Sequence, residues 1–226
     1  MARIARVVVP GYPHHVTQRG VRSMDVFSSD DQRRQYLHFM AEECGEAGVE
    51  VLSYCLMDNH THLVMVPSTE QSLALAVGRA HKRYTRMKNF AEGVRGYLFQ
   101  GRFSSCVMDE RHLLAAASYG ELNPVRARMV ARPEDWPWSS ARFHLGMREQ
   151  DPLVSDRDLL GLVDDWAEFL SRRDEAGRAG LRRATRSGRP AGDRRFLVRM
   201  ERLTGRTLRR MKPGPRPRPR AGTRRG

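Results

Sequence analysis

Two histidines one residue apart, His60-Thr61-His62, are the residues in this chain whose types and spacing best suit chemistry. They open a run, His60–Pro67 (HTHLVMVP), that reads as an extended strand. Alternate strand residues point to the same side of a sheet, so both imidazoles can grip one divalent ion. Taken alone, the pair fits equally well two solvent-facing histidines on an open sheet. A second cluster lies at 118–125, Ser-Tyr-Gly-Glu-Leu-Asn-Pro-Val. Tyr119 and Asn123 are four apart and can share one helix face. Pro124 disfavours helical geometry at Asn123 and clashes with the carbonyl of Gly120, so the helix should kink or end there. Alone, this is also what a buried tyrosine before a helix stop looks like.

The elements that must position these residues are legible in outline. His14–Gly20 is β-compatible. Ser29 and Asp30 offer caps for a helix to about Ala47, with Tyr36, Leu37, Met40, Ala41 and Cys44 at helical spacing. Val49–Met57 alternates and reads as a strand, Asp58-Asn59 as a tight turn and His60–Pro67 as the returning strand. A second helix is expected over Ser68–Phe90, a glycine-rich loop through Gly93, Gly96 and Gly101, a strand over Arg102–Met108, and a third helix capped by Asp109 and running to about Leu122. This β-α-β-β-α-β order predicts an α+β, ferredoxin-like antiparallel sheet with helices on one face. Trp136 and Trp138 read as packing anchors before a short helix. Residues 156–175 suggest an acidic helix and 193–204 a basic one. From Lys212 onward, alternating Pro and Arg favour an extended, solvated chain. The division expected is a catalytic domain over 1–150, a helical basic extension over 151–211 and a disordered tail over 212–226.

Charge separates these parts. Of the net +14, residues 178–226 carry +16, with 18 Arg and Lys against Asp193 and Glu201, whereas residues 1–177 are close to neutral at −2. Such a segment attracts polyanions by counterion release, which points to nucleic acid rather than to a bilayer, because apolar periodicity is weak there. At 40% hydrophobic residues the chain can build a core, and no run of about 18 apolar residues suggests a membrane span. The short apolar run after Arg6 ends at Pro10-Gly11 and lacks the form of a secretion signal, so a cytoplasmic, nucleoid-associated protein is expected. Cys44, Cys55 and Cys106 are scattered without zinc-site spacing and read as reduced, buried thiols.

Several ordered blocks carry a resemblance: YPHHVTQRG (12–20), YCLMDNHTHLVMVP (54–67), RYTR (83–86), GRFSS (101–105), YGELNPVRARMV (119–130) and WPWSSA (136–141). Over roughly residues 3–146 the chain resembles the REP-associated tyrosine transposases, HUH-type single-tyrosine transposases within the wider insertion-sequence-200-like superfamily. It departs from their usual pattern at Asp58, where proline is usual, and at Gly120, where a β-branched residue is usual. The resemblance implies a metal-dependent, single-stranded DNA endonuclease and transesterase. His60, His62 and Asn123 would hold Mg²⁺ or Mn²⁺, and Tyr119 would attack the scissile phosphate to leave a 5′-phosphotyrosine and a free 3′-hydroxyl. Glu121 points elsewhere on the helix and is not assigned as the base. The DNA implied is single-stranded with hairpins or palindromic repeats, and the protein monomeric or homodimeric. Candidate DNA contacts are Gln18 and Arg19 at the end of the first strand, Arg79, Lys82, Arg83 and Arg86 on the second helix, and Arg102. In the tail, Arg189, Arg216 and Arg218 resemble minor-groove arms. Rival readings are a catalytically silent repeat-binding protein, a replication or conjugation initiator of the same fold, and a metal-dependent hydrolase without a covalent step.

Overall fold

The computed structural model describes residues 4–154, 158–172 and 175–209. Four strands form one antiparallel sheet: β1 (His14–Arg19), β2 (Val49–Met57), β3 (His60–Pro67) and β4 (Ser104–Val107), in the order β2-β3-β1-β4. With α1 (Asp30–Ala47) after β1 and α2 (Ser72–Ala91) after β3, this is the ferredoxin-like order expected from sequence. Ser29 caps α1 by accepting a hydrogen bond from the Gln32 amide, and Gly48, at φ 62°, ends it in the left-handed region. β2 and β3 match the predicted spans, joined by the turn at Asp58-Asn59. The second helix starts at Ser72 rather than Ser68, and β4 is shorter than expected.

The parity of β3 divides the interior. Leu63 and Met65 join Val16, Tyr36, Met40, Leu73, Val77 and Tyr84 in a core between the sheet and α1/α2. Val64, on the opposite parity, joins a second core on the other face. The arrangement expected from sequence has helices on one face, and this is the other. It is covered by α3 (Glu110–Glu121) and by α7 (Glu175–Ser187), a helix with no counterpart in the sequence reading. Leu113, Ala116 and Ala117 of α3 meet Leu181 and Ala184 of α7 over Leu52, Val64 and Cys106. Residues on both sides of position 150 thus share one apolar cluster.

Three short helices complete this side: α4 (Asn123–Arg126), α5 (Ala141–His144) and α6 (Trp166–Ser171). In place of one acidic helix over 156–175, the described residues form a 3-10 turn at Asp158–Leu162 followed by α6. The expected basic helix is present as α8 (Arg194–Thr204), capped by Asp193. It packs Phe196 and Met200 with Leu208 against Val7, Val9 and Val107. Within this extension Ala191 hydrogen-bonds along the edge of β4, and the Ile4 amide donates to the Ser187 carbonyl. The basic segment is therefore folded onto the sheet at least to residue 209, rather than held apart from it.

The tryptophans behave as anchors. Trp138 packs against the first core, and Trp136 donates from its indole nitrogen to the Leu56 carbonyl at 3.1 Å. Arg33 of α1 lies over both rings and pairs with Asp58. The Asp58 carbonyl also accepts from the amides of Val26 (2.7 Å) and Phe27 (3.0 Å), so this residue clamps α1's approach to the β2–β3 turn. The three cysteines are free and buried.

Glu121 is fully buried and faces away from the histidine pair. Its carboxylate accepts from Ser140 Oγ (2.7 Å), His144 Nδ1 (2.5 Å) and Trp166 Nε1 (2.9 Å). It ties the end of α3 to α5 and α6. Removing one partner from such a cluster strands the others without water. Glu121→Ala is therefore expected to lower unfolding free energy by about 3 kcal/mol or more in denaturant melts. Its neighbour Gly120 has room for a methyl, since an added Cβ would meet only His62 Cβ at 3.6 Å and Cys55 Cβ at 3.9 Å. Gly120→Ala should stabilise by roughly 0.5–1 kcal/mol, and an equal loss in both variants would contradict this packing.

Candidate active site

The two-residue period of β3 puts His60 and His62 on the face covered by α3 and α7. Their rings meet edge-on, with centroids 5.0 Å apart. β1 lies beside β3 with Thr17 opposite His62, which brings His15 diagonally behind His62. The His15 and His62 rings stack at 5.3 Å, 4° from parallel, and His15 Nε2 lies 3.1 Å from His62 Nδ1. His15 Nδ1 in turn lies 2.9 Å from Thr185 Oγ1 on α7. A chain of hydrogen bonds thus runs from the extension through His15 to His62.

His62 Nε2 is buried and has no hydrogen-bond partner among the described residues. A lone pair can face outward from Nε2 only if the His62 proton sits on Nδ1. His62 must then donate to His15 Nε2, and His15 Nδ1 must donate to Thr185 Oγ1. His60 is held the same way: its Nδ1 donates to Asn59 Oδ1 at 2.6 Å, leaving Nε2 as the acceptor, 3.1 Å from the Asn123 amide. The helix does break as Pro124 requires, but earlier than Asn123. α3 stops at Glu121, and Asn123 opens α4 with Pro124 in its first turn. Asn123 is therefore helical, and the break turns its side chain onto His60.

Tyr119, half-buried on α3, presents its ring edge-on to His62 with centroids 5.2 Å apart. The Arg126 guanidinium lies over the other side of the tyrosine, 4.6 Å from the ring centroid, and fixes its orientation. His15, His60, His62 and Tyr119 line a cavity of about 520 Å³ together with Arg19, Arg102, Arg182, Thr185 and Arg186. Among the described residues no carboxylate lines it.

The site keeps its imidazoles neutral. Burial pushes His15 down to about 4. Burial, helped by the Arg19 charge, brings His60 to about 4. His62 lies well below the ordinary histidine value, through burial first and then through His15, His60, Arg19 and Arg126. Neutral rings have free lone pairs at neutral pH. The donor set fits a divalent cation: His62 Nε2 is an orphaned buried nitrogen, and the amide of Asn123 can turn its oxygen toward the same space. Among the described residues no group of three or more His, Cys, Asp or Glu side chains gathers to hold a metal. Two imidazoles and one amide leave the rest of a coordination shell to oxygens from elsewhere.

The other sequence candidates are scattered. Arg19 and Arg102 line the cavity. Gln18 also borders it, yet its side chain is buried and its amide donates to the Gly101 carbonyl at 3.2 Å. Arg79 and Arg83 pair with Glu42, Glu43 and Glu46 of α1, so they lace α1 to α2 on the opposite face of the sheet. Lys82 and Arg86 are exposed on that helix. Arg189 spends its guanidinium on the carbonyls of Leu208 and Arg209, holding the end of the extension. Arg216 and Arg218 lie outside the described residues. Sequence reasoning missed His15, Arg126, Arg182, Thr185 and Arg186. The first had a signal: of the adjacent pair His14-His15, one had to face the side of His60 and His62.

A ferredoxin-like sheet that sets a histidine couple against a helix-borne tyrosine has the architecture of the single-tyrosine transposase class the sequence resembles. The family description for IS200-like transposases matches residues 9–121, and the chain belongs to that family. A Haemophilus influenzae protein bearing the name REP-associated tyrosine transposase is 25% identical over 120 residues, covering 48% of this chain and 67% of its own. A solved structure of a REP-associated tyrosine transposase bound to a REP hairpin shares the fold, with a TM-score of 0.56 at 17% identity. That match covers 70% of this chain and 93% of the solved one. No helix among the described residues is long and apolar enough to cross a membrane.

The buried histidines make stability depend on pH. Besides His15, burial lowers His14 to about 4 and His81 to about 3. In the unfolded chain each titrates near 6.5. Above that value neither state is protonated and the native contacts carry no penalty. As pH falls below it, only the unfolded chain takes up protons, so stability drops until the folded values near 3–4 are reached. Denaturant melts between pH 7 and 5 should show a loss on the order of 1–2 kcal/mol for each of these three residues. A flat profile over that window would mean the rings are not buried neutral.

Proposed function

We propose that this protein nicks and rejoins single-stranded DNA through a covalent bond to Tyr119, at hairpin or repeat-associated sites like the one named for its solved relative. The observation that carries this reading is the orphaned Nε2 of His62 on a ring 5.2 Å from that of Tyr119, in a cavity to which the described residues bring arginines and no carboxylate.

The chemistry follows from what each side chain can do. Tyr119 Oη attacks the scissile phosphorus, and the bond from phosphorus to the 3′-oxygen breaks. The 5′ end is left on the tyrosine, the 3′-oxygen gains a proton and the phenol loses one. The phosphotyrosine conserves the energy of the broken ester, so a 3′-hydroxyl can reverse the step without a nucleotide cofactor. His60, His62 and Asn123 would hold a divalent cation. When bound, that ion supplies Lewis-acid stabilisation of charge on the phosphoryl oxygens. His15 holds the proton of His62 on Nδ1, which keeps Nε2 free. Arg126 orients the tyrosine. Arg19, Arg182 and Arg186, at the cavity edge, suit the phosphates on either side of the break.

The test is an adduct assay on labelled hairpin oligonucleotides with single-stranded flanks, with and without Mn²⁺. Tyr119→Phe should abolish the adduct while binding persists. His60→Ala and His62→Ala should remove metal-dependent cleavage. Cleavage that survives Tyr119→Phe would instead favour a hydrolase, and binding without any adduct in the unsubstituted chain a silent repeat-binding protein. A separate titration isolates the relay behind His62. His15→Ala should weaken Mn²⁺ binding about 10-fold to 100-fold by calorimetry, as expected when a ligand histidine loses its orienting partner. Unaltered affinity would show that His15 only fills space.

A further inference from the structure

A second cavity, of about 460 Å³, borders the catalytic one and shares Arg102 with it. Its size falls in the range of about 300–1,000 Å³ typical of small-ligand sites. Its floor is aromatic: Phe99 stacks on His81 with centroids 4.1 Å apart, and Phe103 lies under the Arg6 guanidinium. Lys82 and Arg102 bring exposed charge to it, and among the described residues no carboxylate lines it.

Tyr97, on the edge of this cavity, is 91% exposed. A single exposed aromatic ring is ordinary on a protein surface and points to nothing by itself. Here the backbone on both sides of the ring is fastened. The Val21 amide donates to the Leu98 carbonyl at 2.9 Å, the Gln100 amide to the Arg19 carbonyl at 2.8 Å, and Asn89 Nδ2 to the Gly96 carbonyl at 2.9 Å. Gly96, at φ 120°, supplies a backbone bend that side chains rarely tolerate. Arg19 and Arg102 belong to the catalytic cavity, so the loop that displays Tyr97 is tied directly to its rim.

An exposed, fastened aromatic beside exposed cations such as Lys82 and Arg102 is the arrangement that binds unstacked nucleotides. We infer that one unpaired nucleotide of the DNA strand, leaving the catalytic cavity across Arg102, occupies this second cavity, with its base stacked on Tyr97 and its phosphate between Lys82 and Arg102. The inference rests on the reading of the first cavity as a site for single-stranded DNA. It adds a positioning site that sets the register of the strand over Tyr119. Stacking uses the face common to all bases, so the site selects for an unpaired base rather than for its identity. Tyr97 lies outside the catalytic cavity and is not a second nucleophile.

The experiment measures binding by fluorescence anisotropy in the Tyr119→Phe background, where no covalent step interferes. The probe is a labelled hairpin oligonucleotide with oligo-dT flanks, carrying a single abasic site at successive flank positions. With Tyr97 intact, one abasic position should weaken binding about tenfold. Tyr97→Ala should weaken binding of the unmodified probe by a similar factor and make that abasic position silent. Tyr97→Phe should behave like the parent, because stacking needs the ring and not the hydroxyl. Lys82→Ala should reduce the slope of log affinity against log salt by about one. Binding by Tyr97→Ala within twofold of the parent on the unmodified probe, or an abasic penalty that adds to the Tyr97→Ala loss, would overturn the site. Adduct assays on the chain with Tyr119 restored separate the two readings. Adducts at saturating DNA with no role for Tyr97 would remove only this site. No adduct, with the abasic pattern intact, would remove the nicking reading and leave this one standing.

Discussion

The site depends on the antiparallel pairing of β1 with β3. Strand parity alone places His60 and His62 on one face. The register of β1 then decides which residue stands behind His62, and it is His15. A slip of one residue would bring His14 to that position and turn every alternate side chain to the wrong side. The opposite parity of the same strand is held in place by Leu63 and Met65, buried against α1 and α2. The hydrophobic core and the histidine face are thus two readings of one strand. The packing that makes the register costly to change also fixes the imidazoles.

A second constraint is the covering of that face. α3 brings Tyr119 over His62, and the break before Asn123 turns an amide onto His60. α7 closes the other side and delivers Thr185 to His15, with Arg182 and Arg186 at the cavity edge. The described part of the basic extension is therefore continuous with the sheet in its packing. It shares a core with the sheet, and Leu208 is buried against Val7 and Val107. A truncation from residue 205 would remove that packing as well as charge.

Much of this was legible in the residues. Ser29 and Asp109 mark helix starts, and Asp58-Asn59 marks a hairpin between two runs of alternating, β-branched residues. His60, His62, Tyr119 and Asn123 were identified from spacing and from the blocks around them, and the structure brings all four together. α7 was not legible, because EAGRAGLRRATRS offers only Leu181 and a few alanines as an apolar stripe among arginines. Its helix forms on a face whose existence depends on α3. Arg79 and Arg83 misled in the other direction: their helical spacing resembles a phosphate-binding face, yet their partners are the carboxylates of α1, distant in sequence. Pairwise contacts of this kind have no local signal.

The most direct test of the account is pulsed electron paramagnetic resonance of Mn²⁺ bound to the full chain. Two imidazole nitrogens coupled to the metal are predicted, falling to one in His62→Ala and one in His60→Ala. A spectrum with no imidazole coupling, or one unchanged by either substitution, would contradict the assignment of this histidine pair as the metal-holding centre.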